Sequence, residues 1–249
     1  MKVTTSQILP RERVIALGTF DGVHLGHQAV LEVASVIAMC EKMAPCALSF
    51  LNHPLSVVGA GAPPLLTLPA EKALLVSRSL IDELILLPFT RRLSGLAPEE
   101  FIRGLVGPGG ARHIVVGDNY TFGAGGAGNV ELLDKLSREM GYTLHVVPKV
   151  SISGMDVSST RIRELLLAGD VRTAAALLGR AYTIGGPVVH GNHIGHEMGF
   201  PTINIDIPQG KLLPKFGVYF GYAQIAGEQY RAMFNLGVKP TVGSDKPTL

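Results

Sequence analysis

Leu17-Gly18-Thr19-Phe20-Asp21-Gly22-Val23-His24-Leu25-Gly26-His27 joins an apolar run, Val14 to Leu17, to a segment with helical spacing. A strand that stops at glycines and turns into a helix leaves backbone N–H groups unpaired at the helix start, and these attract phosphate. His24 and His27, three apart, project from one side of the first helical turn. Gly18, Gly22 and Gly26 let a ligand approach the backbone. With Phe20 and Asp21 inside the turn, the segment reads as a nucleotide-phosphate cradle. A strand–turn–helix carrying two incidental histidines is the plainer alternative, and a bare H-x-x-H would favour it.

The flanking pattern extends this unit. Strand-like runs at Val14–Leu17, Ala47–Leu51, Glu83–Leu87, His113–Val116 and Thr143–Val147 alternate with helical segments. The helices are expected at Leu25–Glu41, Pro69 to about Ser79, from Pro98, Val130–Met140, Ser159–Ala168 and Val171–Leu178. Such alternation predicts a doubly wound parallel sheet with helices on both faces, binding its ligand beyond the strands' carboxyl ends. After Gly179 the character changes to short β-branched and aromatic runs divided by glycine and proline: Pro187–His190, Thr202–Ile207, Gly217–Ile225 and Gln229–Leu236. These predict a small antiparallel β-barrel, with Ala226-Gly227-Glu228 as a hairpin tip. The expected division is 1–180 and 181–249, near Arg180.

Composition excludes several classes. Of 249 residues, 47% are hydrophobic and 17% charged, so a sizeable core is easily buried. The net charge of +2, with basic residues scattered, gives no nucleic-acid footprint. Two cysteines, Cys40 and Cys46, support neither a disulfide framework nor a zinc site. No apolar stretch has the length of a signal peptide or membrane span, so a cytoplasmic protein is expected, without membrane or nucleic-acid partners.

Other polar segments fall at telling places. Gly117 to Gly123, with Asn119 and Phe122, follows a strand. Val157-Ser158-Ser159-Thr160-Arg161-Ile162-Arg163 opens a helix. Its serines can cap, but arginines at a helix start oppose the dipole unless an anion lies between them. His53-Pro54 ends the second strand and can line the site. Gly123 to Gly128 matches G-x-G-x-x-G formally but lacks the acidic residue of a dinucleotide fingerprint, and reads as a flexible loop. His113 and His145 read as structural. In the second unit, Gly191, Gly195 and Gly199 permit a loop close to phosphate. Thr202 and Asn204 share one strand face and offer hard oxygens to Mg²⁺.

Taken together these segments resemble the bacterial bifunctional riboflavin kinase/FAD synthetase family over essentially the whole chain. Gly18–His27, Gly117–Gly123 and Ser158–Arg163 resemble its nucleotidyltransferase motifs. Gly186–Asn204, ending Pro-Thr-x-Asn, resembles the flavokinase signature, and Leu213 to Tyr219, Asn235 to Gly237 and Pro240-Thr241 resemble its barrel. The resemblance implies ATP with Mg²⁺, and riboflavin, FMN and FAD as substrates or products. It implies His24, His27 and Arg163 as catalytic groups, and Asn119, Ser159, Thr160 and the glycines as nucleotide-binding. Flavin contacts are expected at His53, Pro54 and Phe122.

The sequence departs from the family at Asn119 and Thr121, where many members carry Asp and Arg, at His196 for Arg, and at Ile203 for Ala. It also stops at Leu249, before the family's kinase glutamate, so little riboflavin phosphorylation is expected. Another H-x-G-H nucleotidyltransferase with a different phosphorylated acceptor, or a non-catalytic flavin-binding protein, stands as the alternative.

Overall fold

The computed structural model describes residues 1–5, 11–59, 61–189, 202–238 and 247–249. The chain begins β1 (Lys2–Thr4), β2 (Arg13–Leu17), α1 (Leu25–Glu41), β3 (Ala44–Phe50), α2 (Leu55–Val58), α3 (Pro69–Val76) and β4 (Glu83–Leu87). It continues α4 (Arg91–Ser94), α5 (Pro98–Val106), β5 (Ala111–Gly117), α6 (Val130–Met140) and β6 (Thr143–Val147). A small hairpin, β7 (Ser151–Ile152) and β8 (Met155–Asp156), leads into α7 (Ser159–Ala168) and α8 (Val171–Leu178).

β1 to β6 form one parallel sheet in the order β1-β4-β3-β2-β5-β6. All five residues of β2 are buried, as a central strand covered on both faces requires. Val14 and Ala16 pack with Val30, Leu31, Ala34 and Ala38 of α1. Ile15 and Leu17 point the other way, into a layer with Ile102 and Leu105 of α5 and Leu133 and Leu136 of α6. Chain order reverses direction between β2 and β5, so their carboxyl ends flank the crevice where doubly wound sheets bind ligands. At the opposite end, Arg13 is buried and pairs with Glu83 of β4 at 2.9 Å.

Differences from the sequence expectation have local causes. β1 pairs in parallel with β4 through Lys2↔Glu83 to Thr4↔Ile85, but it is a largely exposed edge of three residues with no periodicity to read. The helix from Pro69 ends at Val76, and Ser77–Ser79 tightens into a 3-10 turn before Leu80, which takes φ +55°. Gly123 to Gly128 is not a loose loop. Phe122 and Gly128 exchange backbone hydrogen bonds at 3.0 and 2.8 Å, and a Cβ on Gly128 would lie 2.6 Å from the Phe122 ring. Glycine is there because an aromatic ring packs on the backbone.

The second unit consists of antiparallel strands: β9 (Val188–Val189) with β10 (Asn204–Ile205), and β11 (Gly217–Ile225), β12 (Glu228–Val238) and β13 (Pro247–Thr248). Ala226 and Gly227, at φ +51° and +90°, form the two-residue hairpin turn, and Glu228 already belongs to β12. This unit is stitched to the first. Leu65 N–H donates to Gly210 O and Leu212 N–H to Leu65 O, both at 2.8 Å. Leu212 also joins Leu66, Ile162, Leu166, Leu177 and Leu178 in a third core cluster.

Candidate active site

β2 ends at Leu17, and the chain turns sharply before α1. A Cβ on Gly18 would meet the Phe20 ring at 2.8 Å, so only glycine lets that ring fold over the strand end. Phe20, Gly22 and Val23 have φ of +46°, +87° and +40°. For the two residues other than glycine this left-handed geometry costs about 1–2 kcal/mol each. Both are buried, so packing holds them there.

Asp21, buried within the turn, accepts from the N–H groups of Leu66 (3.2 Å) and Thr67 (2.9 Å) and forms an ion pair with Arg163 Nη2. Thr67 Oγ1 completes the ring, accepting from Gly22 N–H at 2.9 Å and lying 3.3 Å from Asp21 Oδ1. The carboxylate therefore faces inward and anchors the loop and Arg163. Nucleotide contact was expected of it from the sequence, and its hydrogen-bonding capacity is spent on the protein.

His24 is the N-cap of α1. Its Nδ1 accepts from His27 N–H at 3.3 Å, which leaves the ring proton on Nε2. The two imidazoles stack, with centroids 3.6 Å apart and planes 15° from parallel, and the Phe20 ring meets His27 edge-on at 5.3 Å. Burial pushes the His24 pKa down to about 4, against a smaller opposing pull from Asp21. Burial lowers His27 well below its ordinary value too, helped by His24 and Lys72. Both rings are neutral at pH 7. His27 Nδ1 is buried and has no hydrogen-bond partner among the described residues.

The N-terminus of α7 faces that of α1: a Cβ on Gly26 would lie 3.9 Å from Val157 O. Ser158 caps α7, and Ser159 Oγ donates to Asp21 O at 2.8 Å. Thr160 is exposed on the first turn. The two arginines part company. Arg163 turns inward to Asp21 and to Pro64 O (3.2 Å), whereas Arg161 pairs with Glu164 at 3.1 Å in solvent. Two arginines around one anion is thus reduced to one. Asn119 is exposed in the turn after β5, on the far side of the crevice.

A narrow cleft opens beside the Asp21 turn, lined by residues including Phe50, Asn52, His53, Pro54, Leu65 and Lys72. His53 Nδ1 accepts from Leu55 N–H at 3.2 Å, and burial together with nearby Arg163 lowers its pKa. Phe122, expected beside the flavin, is instead a core residue, 6% exposed and packed with Phe101 and Tyr120. Its ring is needed to fill the space against Gly128.

Two residues went unnoticed in the sequence. Thr67 closes the ring around Asp21. Lys72 of α3 is buried beneath the cleft and donates to Thr19 O (2.7 Å), Ser49 Oγ (3.0 Å) and Phe50 O (3.0 Å). It ties together the carboxyl ends of β2 and β3, and burial pushes its pKa down to about 8. In the second unit Thr202 is exposed and Asn204 half-buried in β10. Gly191, Gly195 and Gly199 lie outside the described residues, as do His190, His196, Glu197 and Pro240-Thr241.

The family model described as FAD synthetase matches residues 6–161, and that described as riboflavin kinase matches residues 178–249. The bifunctional riboflavin kinase/FMN adenylyltransferase of Bacillus subtilis (strain 168) is 35% identical over 237 residues, covering 94% of this chain and 74% of its own. The protein of that name from Pseudomonas fluorescens is 34% identical, covering 93% and 75%. A crystal structure from Streptococcus pneumoniae, described as a macrolide-efflux protein, superposes with a TM-score of 0.89 at 30% identity, covering 100% of this chain and 83% of that one. Among the described residues no helix is long and apolar enough to cross a membrane.

Proposed function

The chain belongs to the family of bifunctional riboflavin kinase/FMN adenylyltransferases, and from that premise we propose that its first unit transfers the AMP of ATP to FMN, giving FAD and pyrophosphate. The observation that carries this reading is the stacked His24–His27 pair at the N-terminus of α1, with the buried His27 Nδ1 that meets no partner among the described residues. The FMN phosphate, with a second pKa of about 6, is largely dianionic at pH 7. It attacks the α-phosphorus, the P–O bond to the β-phosphate breaks, and pyrophosphate leaves with the electron pair. No proton has to be removed from the nucleophile.

What the reaction needs is charge stabilisation and in-line placement. His24 Nε2–H, His27 and the N-terminal amides of α1 serve the triphosphate. Arg163, held by Asp21 through Nη2, has further N–H groups for a phosphate. Asn119, Ser159 and Thr160 orient the nucleotide, and the isoalloxazine of FMN lies in the cleft with His53 and Pro54. Mg²⁺ arriving with ATP would offset the charge of the triphosphate.

The boundary between units is placed near Arg180, as 1–180 and 181–249. The second unit is of riboflavin kinase type, with Thr202 and Asn204 as neutral oxygen donors towards the Mg²⁺ of its own MgATP. A cytoplasmic location accords with ATP and FMN as substrates and with the two unpaired cysteines.

The test is chromatographic detection of FAD and enzymatic detection of pyrophosphate from FMN and MgATP. Turnover is expected with the unaltered chain. His27→Ala is expected to lower kcat by about 10²–10³, the range for loss of one electrostatic donor to a transition state, with little change in FMN binding. A folded chain that makes no FAD, or an unchanged kcat in His27→Ala, would overturn the assignment or the role respectively.

A further inference from the structure

We propose that Arg180 is a positioning residue for adenylyl transfer, holding the turn that carries His24 by gripping the two carbonyls that precede it. The idea rests on the adenylyltransferase reading above. Arg180 follows Gly179, the left-handed cap of α8 at φ +70°. A Cβ on Gly179 would lie 2.6 Å from Leu25 Cδ2, so the end of α8 sits directly on the first residue of α1. From there Arg180 reaches back across more than 150 residues of sequence. Its Nη2 donates to Gly22 O at 2.7 Å, and its Nη1 donates to Val23 O at 3.1 Å and to Leu178 O at 3.2 Å.

Val23 is the residue that most needs holding. It is β-branched and has φ +40°, a conformation such side chains avoid because Cβ crowds the backbone. Its carbonyl accepts a second hydrogen bond from Gln28 Nε2 at 2.9 Å, and Gln28 also donates to Leu178 O at 3.0 Å. Arg180 and Gln28 therefore each bridge Val23 O to Leu178 O, and Arg180 alone also takes Gly22 O. Peptide groups are planar and trans, so fixing these carbonyls fixes the orientation of the Val23 and His24 N–H groups. It also fixes where the His24 ring leaves the chain. Gripping adjacent carbonyls takes a planar fork, and an ammonium is a point donor. Arg180 lies within residues 178–249, the segment matched by the riboflavin kinase model. Arg180, at the junction of the two units, thus reaches back into the adenylyl-transfer site.

Arg180→Lys and Arg180→Ala, made in the full chain, test this by two readouts. In FAD formation both are expected to lower kcat at least 30-fold, with KM for FMN changed less than threefold. Guanidinium chloride at tens of millimolar is expected to restore Arg180→Ala by tenfold or more, where equal sodium chloride does not. In the ligand-free protein, ring NMR signals of His24 and His27 are expected to shift or broaden in both variants, with those of His113 and His145 unmoved. The NMR readout reports on Arg180 even if the unaltered chain forms no FAD, which would overturn the activity reading alone. A kcat within threefold of the unaltered chain, or unmoved His24 and His27 signals, would overturn the proposal. An Arg180→Lys chain that fails to fold would overturn it too, making Arg180 a folding residue.

Discussion

His24 shows how one side chain links chemistry to stability. Burial keeps its imidazole neutral down to about pH 4, against 6.5 when unfolded. Between those values the unfolded chain binds a proton that the folded chain refuses, so folding weakens as pH falls from 6.5 towards 4. The contribution is complete above pH 6.5 and amounts to about 3 kcal/mol at most. His27 shifts in the same direction and adds to it. Urea unfolding measured between pH 7 and 4.5 is expected to show this loss. His24→Asn, whose side-chain oxygen can take over the capping role of the His24 Nδ1, should flatten the dependence across that window. An unaltered slope would mean that His24 is not held neutral by the fold. The histidines, Ser159 and Arg163 were legible because a glycine-rich turn and a helix start are local signals. Thr67 and Lys72 were not, since a lysine in a short helix looks the same whether it meets solvent or three strand-end acceptors. Nor could local chemistry separate Arg163 from Arg161. Only the position of Asp21 in space does that.

The β2–α1 turn is the element on which the site depends. Gly22 has φ +87°, and a Cβ there would lie 2.9 Å from Leu66 Cδ1. Gly22→Ala therefore meets both backbone strain and overpacking, and is expected to cost about 1–3 kcal/mol in urea unfolding. FAD formation should fall as well, because the turn cannot move without moving His24. A variant as stable and as active as the unaltered chain would show the turn to be pliable. Long helices with clear periodicity, such as α1, α6 and α7, were readable to their ends, where Asn129 and Ser158 cap and Gly141 and Gly169 stop them. Short edge elements were not, β1 above all, because three exposed residues carry no pattern.

At the scale of the whole molecule, the residues 65–67 form a strap with the active-site turn on one side and the second unit on the other. Lys211 makes the join: its ammonium is buried, donating to Leu66 O at 2.8 Å and to Glu71 at 2.6 Å, beneath the ring of Tyr182. Lys211→Met would leave Glu71 and Leu66 O without this donor. Glu71 retains some solvent, so the cost is expected below that of a fully buried pair, at about 2–3 kcal/mol. Thermal unfolding should show a lowered Tm, still in one transition because Leu212 continues to share a core with α7 and α8. An unchanged Tm would make the join dispensable.

The sequence by itself determined the class of the fold, the order of its longer helices and central strands, the turn bearing His24 and His27, and the change to antiparallel strands after Gly179. All of these rest on periodicity, capping and turn chemistry, which act over a few residues. Tertiary structure alone decided that Asp21 faces inward, that Phe122 fills the core and does not line the cleft beside His53, and that Arg163 turns to Asp21 while Arg161 does not. It alone brought Thr67, Lys72 and Arg180 to the turn. Those outcomes depend on which surfaces meet when remote segments pack, and on where buried polar groups must find partners. No local pattern encodes either.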